Sequence, residues 1–274
     1  MTGEVPESWN LLWRFKFEIL ALSTALVAGE AGWLWRRRLR GWTWRESLAN
    51  LATLVGTQVL RGLTLPVRLV GFELAAALAP WQVPLTPAWA VAGYVLLDLL
   101  YYAKHRWLHA TSWGWAMHSV HHSSPELNLT TAVRSSWLQR IVDDFFYLPL
   151  ALVGFHPVLV LILAELNLYS QLWVHTRVLP RLGWLEGWLN TPAAHRVHHA
   201  VDRRRADANY GSTFSIWDRL FGTWIAGGDG DETRYGIAEG DPGSNPLSIQ
   251  VAGLQRYFLD PGADARRAAR TSSR

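Results

Sequence analysis

Eight of the ten histidines in this sequence lie in three short clusters. The clusters read HRWLH at 105–109, HSVHH at 118–122 and HRVHH at 195–199. Residues three and four apart on a helix share one face, with side chains about 5–6 Å apart, so each cluster would present its imidazoles together. Neutral imidazole binds iron, zinc, copper and nickel. The spacing therefore predicts metal ligands, and with His175 added they are His105, His109, His118, His121, His122, His175, His195, His198 and His199.

The number of candidate ligands indicates more than one metal ion. A structural zinc ion takes four ligands and a catalytic one about three, so these imidazoles fit two adjacent ions better. The sequence has no cysteine, which leaves nitrogen and oxygen as ligand atoms. The HExxH, GxxxxGK[ST] and GxSxG motifs are absent. We therefore favour two redox-active Fe ions that activate oxygen. In purified protein, zinc could occupy the place of iron. A non-redox membrane metal-binding protein or transporter is the alternative from another class.

The composition points to a membrane. Half of the residues are apolar and 18% are charged, below the roughly 25% of an ordinary soluble domain. Seventeen tryptophans reinforce this, because indole suits the headgroup layer of a bilayer. The formal charge is +4, but many basic residues follow an apolar run or lie in the polar tail. This placement argues against nucleic acid as a partner.

The elements that must position the histidines are predicted to be membrane helices. A spanning helix needs about 20 apolar residues, and residues 15–35 have that length. Residues 48–80 should form a bent or two-part helix with one crossing, because a proline and two arginines interrupt it; residues 88–104 should form a third span. Arginines at 36–38 and 40 follow the first span, which predicts that they lie in the cytoplasm. The N-terminus would then lie outside and the histidine clusters on the cytoplasmic face.

Residues 144–175 are predicted to form a helical hairpin. Its tip would lie at His156, a structural residue, because a residue before proline avoids helical geometry. Arms of roughly 18–27 Å would fall short of a hydrocarbon core about 30 Å thick. The return arm would bring His175 back to the face that carries the clusters.

The predicted fold is all-α: an integral membrane helical bundle of about three spans plus the hairpin, with a cytosolic helical cap and a dinuclear histidine-rich metal site. Residues 1–180 would form the membrane region with the first two clusters. Residues 181–226 would form the cap with the third cluster. Residues 227–274 would be a loop and tail, with the last dozen residues disordered.

Several polar residues are candidates for orienting the metal ligands. A charge inside an apolar helix costs about 2.5–3.5 kcal/mol on insertion scales, so Asp98 should hold the second nitrogen of a ligand imidazole or contact another helix. Arg134 could pair with an acidic cap residue or steer a lipid headgroup. Asp143 and Asp144 are expected at an interfacial surface. The full set of candidates, some of which could simply hold helices or loops together, is Asp98, Asn128, Arg134, Asn167, Gln171, Asp207, Asn209 and Asp218.

The clusters and their surroundings also carry a family resemblance. The sequence resembles the fatty acid hydroxylase and sterol desaturase superfamily of membrane di-iron enzymes, whose pattern HxxxH, HxxHH, HxxHH is matched by HRWLH, HSVHH and HRVHH. Within it, the sequence looks most like the alkylglycerol monooxygenases and their bacterial relatives. The stretches HHSSPELNLTTAVRSS, YSQLWVHT, LNTPAAHRVHH and NYGSTFSIWDRLFGT carry that likeness, which covers residues 88–225.

The resemblance implies membrane helices below a cytosolic cap that holds two iron ions. It also implies oxygen-dependent hydroxylation, desaturation or ether cleavage of a lipid, with a sterol desaturase or methyl oxidase activity as the alternative. No flavin or haem motif is visible, so an external electron donor is expected. The pterin dependence of the longer animal enzymes is not carried over. Some members have a second histidine one turn before the position of His175; here it is Gln171, and a water or its amide oxygen would fill that place.

Overall fold

A computed structural model of the chain describes residues 7–39, 41–202, 207–228 and 234–259. Over these residues the secondary structure is helical, and the β-structure consists of isolated bridges. Two short 3-10 turns, Leu129–Val133 and Gly183–Leu185, lie between helices. The helices are α1 (Glu7–Arg37), α2 (Trp44–Ala77), α3 (Pro87–Ala110), α4 (Ser112–His122), α5 (Trp137–Leu152), α6 (Pro157–Tyr169), α7 (Pro192–His198), α8 (Ile216–Leu220) and α9 (Pro246–Leu259).

The turn from α3 to α4 brings the first two histidine clusters together. Thr111 ends α3 and begins α4, and its hydroxyl accepts a hydrogen bond from the Gly114 backbone nitrogen at 3.1 Å. A side chain at Gly114 would lie 2.7 Å from the Leu108 Cα, so only glycine permits this approach. A one-residue connection forces the two helices into direct contact. The end of α3 and the whole of α4 therefore share one site.

The predicted hairpin is formed by α5 and α6, with arms of 16 and 13 residues. These arms are about 24 and 20 Å long at 1.5 Å per residue. His156 lies at the tip, where its Nδ1 accepts a hydrogen bond from the Val158 backbone nitrogen at 3.2 Å. The hairpin packs on α2 and α3 around a buried apolar cluster that includes Phe72, Leu97 and Phe155. This packing fixes the return arm beside α3.

The long helices differ from the sequence prediction in two respects. Helix α2 is one continuous helix that contains Pro66, so the two-part alternative is wrong. By length and composition, Phe17–Arg37 is the one helix in the described part of the chain that could cross a membrane. Helices α2 and α3, with 34 and 24 residues, are long enough to span a membrane but are not apolar enough over a full span. The number of spans stays a prediction.

The C-terminal region is more ordered than a loop and tail. Helix α9 packs against α4, and a side chain at Gly253 would lie 2.0 Å from the Ala116 carbonyl oxygen. Gln250 also bonds the Ser135 carbonyl and the Trp137 backbone nitrogen at 2.9 and 2.8 Å. The prediction for 227–274 is therefore wrong over α9, which supports the second cluster. The last dozen residues, predicted to be disordered, lie outside the described residues.

Candidate metal centre

The structure brings all nine predicted metal ligands together in two adjacent groups. Within each group the candidate ligand atoms lie within 4.8 Å of one another. The five-histidine group contains His105, His109, His118, His122 and His198, and the four-histidine group contains His121, His175, His195 and His199.

Helix geometry divides the HSVHH and HRVHH clusters between the two groups. On α4, His118 and His122 are four residues apart and point to the five-histidine group, while His121 points to the other. The third cluster, at the end of α7, has the opposite arrangement, with two ligands in the four-histidine group and His198 in the five-histidine group. Each of these clusters therefore serves both groups. The groups meet where the rings of His122 and His199 stack at 4.4 Å.

Five of the nine imidazoles are held through Nδ1 by a carbonyl oxygen. A carbonyl oxygen can only accept a hydrogen bond, so each of these Nδ1 atoms carries the proton. In the neutral ring the lone pair is then on Nε2, which faces the group. The bonds run from His105 to Tyr210 O (2.8 Å), His118 to Gln139 Oε1 (3.0 Å), His121 to Arg134 O (2.9 Å), His175 to Gln171 O (2.7 Å) and His198 to Ala208 O (2.7 Å).

These tautomers place lone pairs against each other. The Nε2 atoms of His105 and His118 are 2.9 Å apart, and those of His121 and His175 are 3.1 Å apart. Such contacts repel unless a cation lies between the nitrogens. The Nε2 of His122 is buried without a hydrogen-bond partner among the described residues. The donor set therefore fits metal ions, and each group offers enough nitrogen ligands for one ion.

Burial keeps these imidazoles neutral. Removal from water lowers the pKa of His118 to about 3. Burial, reinforced by neighbouring imidazoles, also holds the pKa of His122 and His199 well below the usual value. A proton is therefore a poor substitute for a metal ion between the rings.

The loop before α8 supplies two of the carbonyl oxygens, those of Ala208 and Tyr210. Asp218 holds this loop because its carboxylate accepts hydrogen bonds from the backbone nitrogens of Tyr210 and Gly211 at 2.7 and 2.8 Å. Asn209, at a positive φ of 56°, donates to the Ala194 carbonyl at 2.9 Å. Both candidates thus act on the ligands through the backbone, as positioning residues.

Asp98 does not hold an imidazole. Its carboxylate accepts hydrogen bonds from the backbone nitrogens of Thr213 and Phe214, the indole of Trp217 and the amide of Asn167. The predicted bond to a ligand is wrong, and the alternative of a contact between elements describes the site better. Asp98 thus links α3 to the 213–217 segment through hydrogen bonds. Its bond with Asn167 also links α3 to α6.

Two other candidates have structural partners. Asn128 caps the turn at Leu129–Val133 and donates to the Gly41 carbonyl at 3.0 Å, so the structure places its side chain away from the ligands. The Gln171 side chain accepts a hydrogen bond from the Tyr101 hydroxyl at 2.7 Å. Its backbone carbonyl, not its amide, touches His175. The expectation that the amide oxygen fills a ligand position is therefore wrong for this structure.

The remaining two candidates differ in what they contact: Arg134 pairs with an acidic side chain, and Asp207 contacts a ligand imidazole. The Arg134 guanidinium is fully buried and pairs with Glu46 of α2 at 3.1 Å, so the prediction of an acidic partner in the cap is wrong. A role in steering a lipid headgroup is excluded by that burial. Its backbone carbonyl accepts the His121 bond. Asp207 lies 3.3 Å from the His109 Nδ1, so among the predicted side chains it is the one that contacts a ligand imidazole directly.

The sequence prediction missed Gln139, whose amide oxygen holds His118. The amide nitrogen of Gln139 points to Asp143 at 3.5 Å, and Asp143 also binds Lys104 at 2.9 Å. Asp143 is 5% exposed, so its predicted place at an interfacial surface is wrong. With Asp144 and Arg68, it lines a small charged pocket of about 40 Å³. The one signal in the sequence was the one-turn spacing of Gln139 and Asp143.

Replacing Gln139 with leucine is expected to weaken metal binding about 10–100-fold, because the Nδ1–H of His118 would lose its acceptor. Chelator competition on the purified protein measures this. The Gln250→Leu variant, which removes another buried glutamine whose side chain bonds Ser135 and Trp137 instead of a histidine, serves as the matched control. Wild-type affinity in the Gln139→Leu variant would contradict the role assigned to Gln139.

The family model and the most similar curated proteins point to the same family. Residues 90–223 match the fatty acid hydroxylase family model. Alkylglycerol monooxygenase from Homo sapiens is 40% identical over 187 residues, 67% of this chain and 41% of that protein. The Xenopus tropicalis enzyme of that name is 38% identical over 172 residues, 63% of this chain and 37% of that protein.

A bacterial relative covers more of the chain. Ornithine lipid hydroxylase OlsE from Rhizobium tropici is 26% identical over 223 residues, 79% of this chain and 66% of that protein. The chain spans about two fifths of the length of the alkylglycerol monooxygenases that it matches. No solved structure matches the chain.

Proposed function

Residues 90–223 belong to the fatty acid hydroxylase family, and from this premise we propose that the protein is a membrane-bound di-iron oxygenase that hydroxylates a lipid. The observation that carries the proposal is the convergence of nine imidazoles into two adjacent groups. Their facing lone pairs call for two cations at the junction of α3, α4 and α7. The fatty acid hydroxylase family is iron-dependent, which favours iron for both.

Iron supplies the redox chemistry that activates oxygen, which no protein side chain provides. In the proposed reaction a C–H bond of the lipid becomes C–OH, the second oxygen atom leaves as water, and two electrons and two protons are consumed. The electrons come from an external donor. The five-histidine group would bind one iron ion, and the four-histidine group would bind the other.

The chain itself contributes orientation and exclusion of water. The carbonyl oxygens that accept the Nδ1 protons keep five Nε2 atoms directed at the centre before any metal binds. Preformed ligands lose little conformational freedom on binding. Eight of the nine histidines are buried and His121 is partly buried. A dry site protects a reactive oxidant from side reactions.

A lipid substrate follows from the relatives and from the surface of the helices. The relatives are named as enzymes of alkylglycerol and ornithine lipid. Exposed apolar side chains cover α1, α2 and α3, among them Leu63, Val67 and Val91 at 74%, 75% and 65% exposure. Such a surface suits a membrane. We place the histidine clusters on the cytoplasmic face, since Arg36 and Arg37 lie in the last turn of the candidate spanning helix and Arg38 follows it.

Two alternatives make different predictions. A desaturase or sterol methyl oxidase would use the same metal centre, and a desaturase would remove two hydrogens from the lipid without adding oxygen. A non-redox metal-binding protein or transporter would retain metal but form no oxygenated lipid. Transporters hold their substrate ions near the bilayer midplane. Here the ligands lie at the end of α3, which favours an enzyme.

Isotopic oxygen separates these functions. Purified protein loaded with iron is reconstituted with a membrane lipid extract and a chemical reductant under ¹⁸O₂, and the lipids are analysed by mass spectrometry. Hydroxylation is expected to place one ¹⁸O atom in the product. A new double bond without ¹⁸O would identify a desaturase instead. Metal retention with no lipid product under any donor would contradict the enzyme proposal.

A further inference from the structure

An exposed surface formed by residues 179–189 and 213–222 is unusually apolar for a cytosolic cap. We call it the cap patch. It exposes three aromatic and two aliphatic side chains to more than two fifths of their surface. They are Trp184 (81%), Trp188 (60%), Ile216 (42%), Leu220 (68%) and Phe221 (47%).

The two segments of the cap patch form one continuous surface. The Ser215 backbone nitrogen donates to the Trp188 carbonyl at 3.0 Å, and Leu189 forms a bridge with Phe214. The Arg219 guanidinium reaches the Glu186 carbonyl at 3.4 Å. The two segments that carry the exposed apolar side chains are therefore neighbours in space.

The cap patch lies beside α3, not beyond its end. Asp98 of α3 binds the backbone of Thr213 and Phe214, and the Tyr94 hydroxyl bonds Thr213 at 2.7 Å. Asp98 and Tyr94 precede His105 by seven and eleven residues, or about 10 and 16 Å along the helix. The patch therefore extends from the metal level toward the N-terminal end of α3.

The same level of α3 has its own exposed apolar side chains. They include Val91 at 65% and Leu96 at 42% exposure. The cap patch thus continues the apolar surface of the helix that we place in the membrane. A segment fastened to that stretch of α3 enters the bilayer to a similar depth.

The charges of the cap patch match a lipid surface. Among its residues the exposed charged side chains are Arg181 and Arg219. Its acids, Glu186 and Asp218, are buried at 7% and 0% exposure. Tryptophan together with arginine, without exposed acid, is the composition of a segment at the boundary between headgroups and acyl chains.

We propose that the cap patch inserts into this boundary of the lipid leaflet, with Trp184, Trp188, Ile216 and Leu220 toward the acyl chains and Arg181 and Arg219 toward lipid phosphates. The cap patch is then a membrane-embedded surface element, not part of a cytosolic cap. Its two segments flank the third histidine cluster in the sequence. Insertion would therefore hold α7 at the membrane surface, independently of what reaction the centre performs.

The chain has no cysteine, which permits a direct test by single labelling. Leu220→Cys and Trp184→Cys variants are labelled with an environment-sensitive fluorophore and reconstituted in nanodiscs of phosphatidylcholine and phosphatidylglycerol. Quenching by doxyl-labelled lipid is expected to be at least about threefold stronger at both sites than at a water-exposed control. Quenching by aqueous iodide should show the opposite order.

Two control variants calibrate the measurement. Ala238→Cys lies on an exposed polar stretch, and Val91→Cys lies on the exposed face of α3. Wild-type metal content in each variant shows that the fold is kept. Iodide access at 184 and 220 equal to that at 238 would overturn the proposal. So would shielding from both quenchers, which would mean that another protein surface, such as a second copy, covers the patch.

Discussion

Replacement of His118 with alanine is expected to weaken metal binding in the five-histidine group and to abolish lipid oxidation. The Nε2 of His118 faces that of His105 at 2.9 Å, at the centre of this group. Loss of a ligand should exceed the 10–100-fold weakening that follows from the loss of an outer hydrogen bond. After exposure to a chelator that leaves the wild-type protein loaded, metal content measured by elemental analysis should fall from about two ions per chain to about one.

The tenth histidine provides a matched control. His156 caps α6 at the tip of the hairpin and belongs to neither histidine group. A His156→Ala variant should therefore keep both ions and the oxidised lipid product. His195→Ala should weaken metal binding in the four-histidine group instead. Full metal content in the His118→Ala variant would show that this imidazole is not a ligand, and unchanged activity without metal would contradict the proposed function.

Replacement of Arg134 with alanine is expected to give the largest loss of stability. Its guanidinium is fully buried and bonds Glu46 and Asn50 of α2, the Val120 carbonyl and Ser123. Removing one partner of a buried ion pair costs about 3–5 kcal/mol, because the other charge is left without compensation. Thermal unfolding in detergent should show a clearly lower Tm, with or without metal.

A second variant separates the charge from the packing. In the Arg134→Met, Glu46→Gln double variant neither charge remains, so much of the stability should return. If the double variant is as unstable as Arg134→Ala, the loss comes from packing around α4 and not from the unpaired Glu46. A change below about 1 kcal/mol in Arg134→Ala would contradict the structural role of the pair.

The hairpin and α9 show how far local patterns reach. The proline at 157 predicts the hairpin tip because proline restricts the residue before it, and His156 lies there. Residues 246–259 are less apolar and follow a stretch rich in glycine and aspartate, so their helix was missed. That helix is fixed by close packing of Gly253 on α4, a contact with a residue far away in the sequence.

The polar candidates show a similar limit. Asp98, Asp218 and Asn209 are buried and bonded, as polar residues in an apolar chain must be. The partners of Asp98 include backbone groups of a loop more than a hundred residues away in the sequence. Nothing in the residue type distinguishes a carboxylate that holds an imidazole from one that holds a loop. The choice depends on which backbone groups the tertiary fold places within reach.

The sequence by itself determined eight of the nine candidate ligands, because the three- and four-residue spacing of imidazoles is a property of a single helix. His175 belongs to no cluster, and it was predicted from the return of the hairpin to the same face. The tertiary structure decided how the nine ligands divide into five and four, since α4 and α7 each contribute to both groups. It also decided which atoms hold them. Four of the five Nδ1 acceptors are backbone carbonyls, which every residue has and no sequence pattern marks.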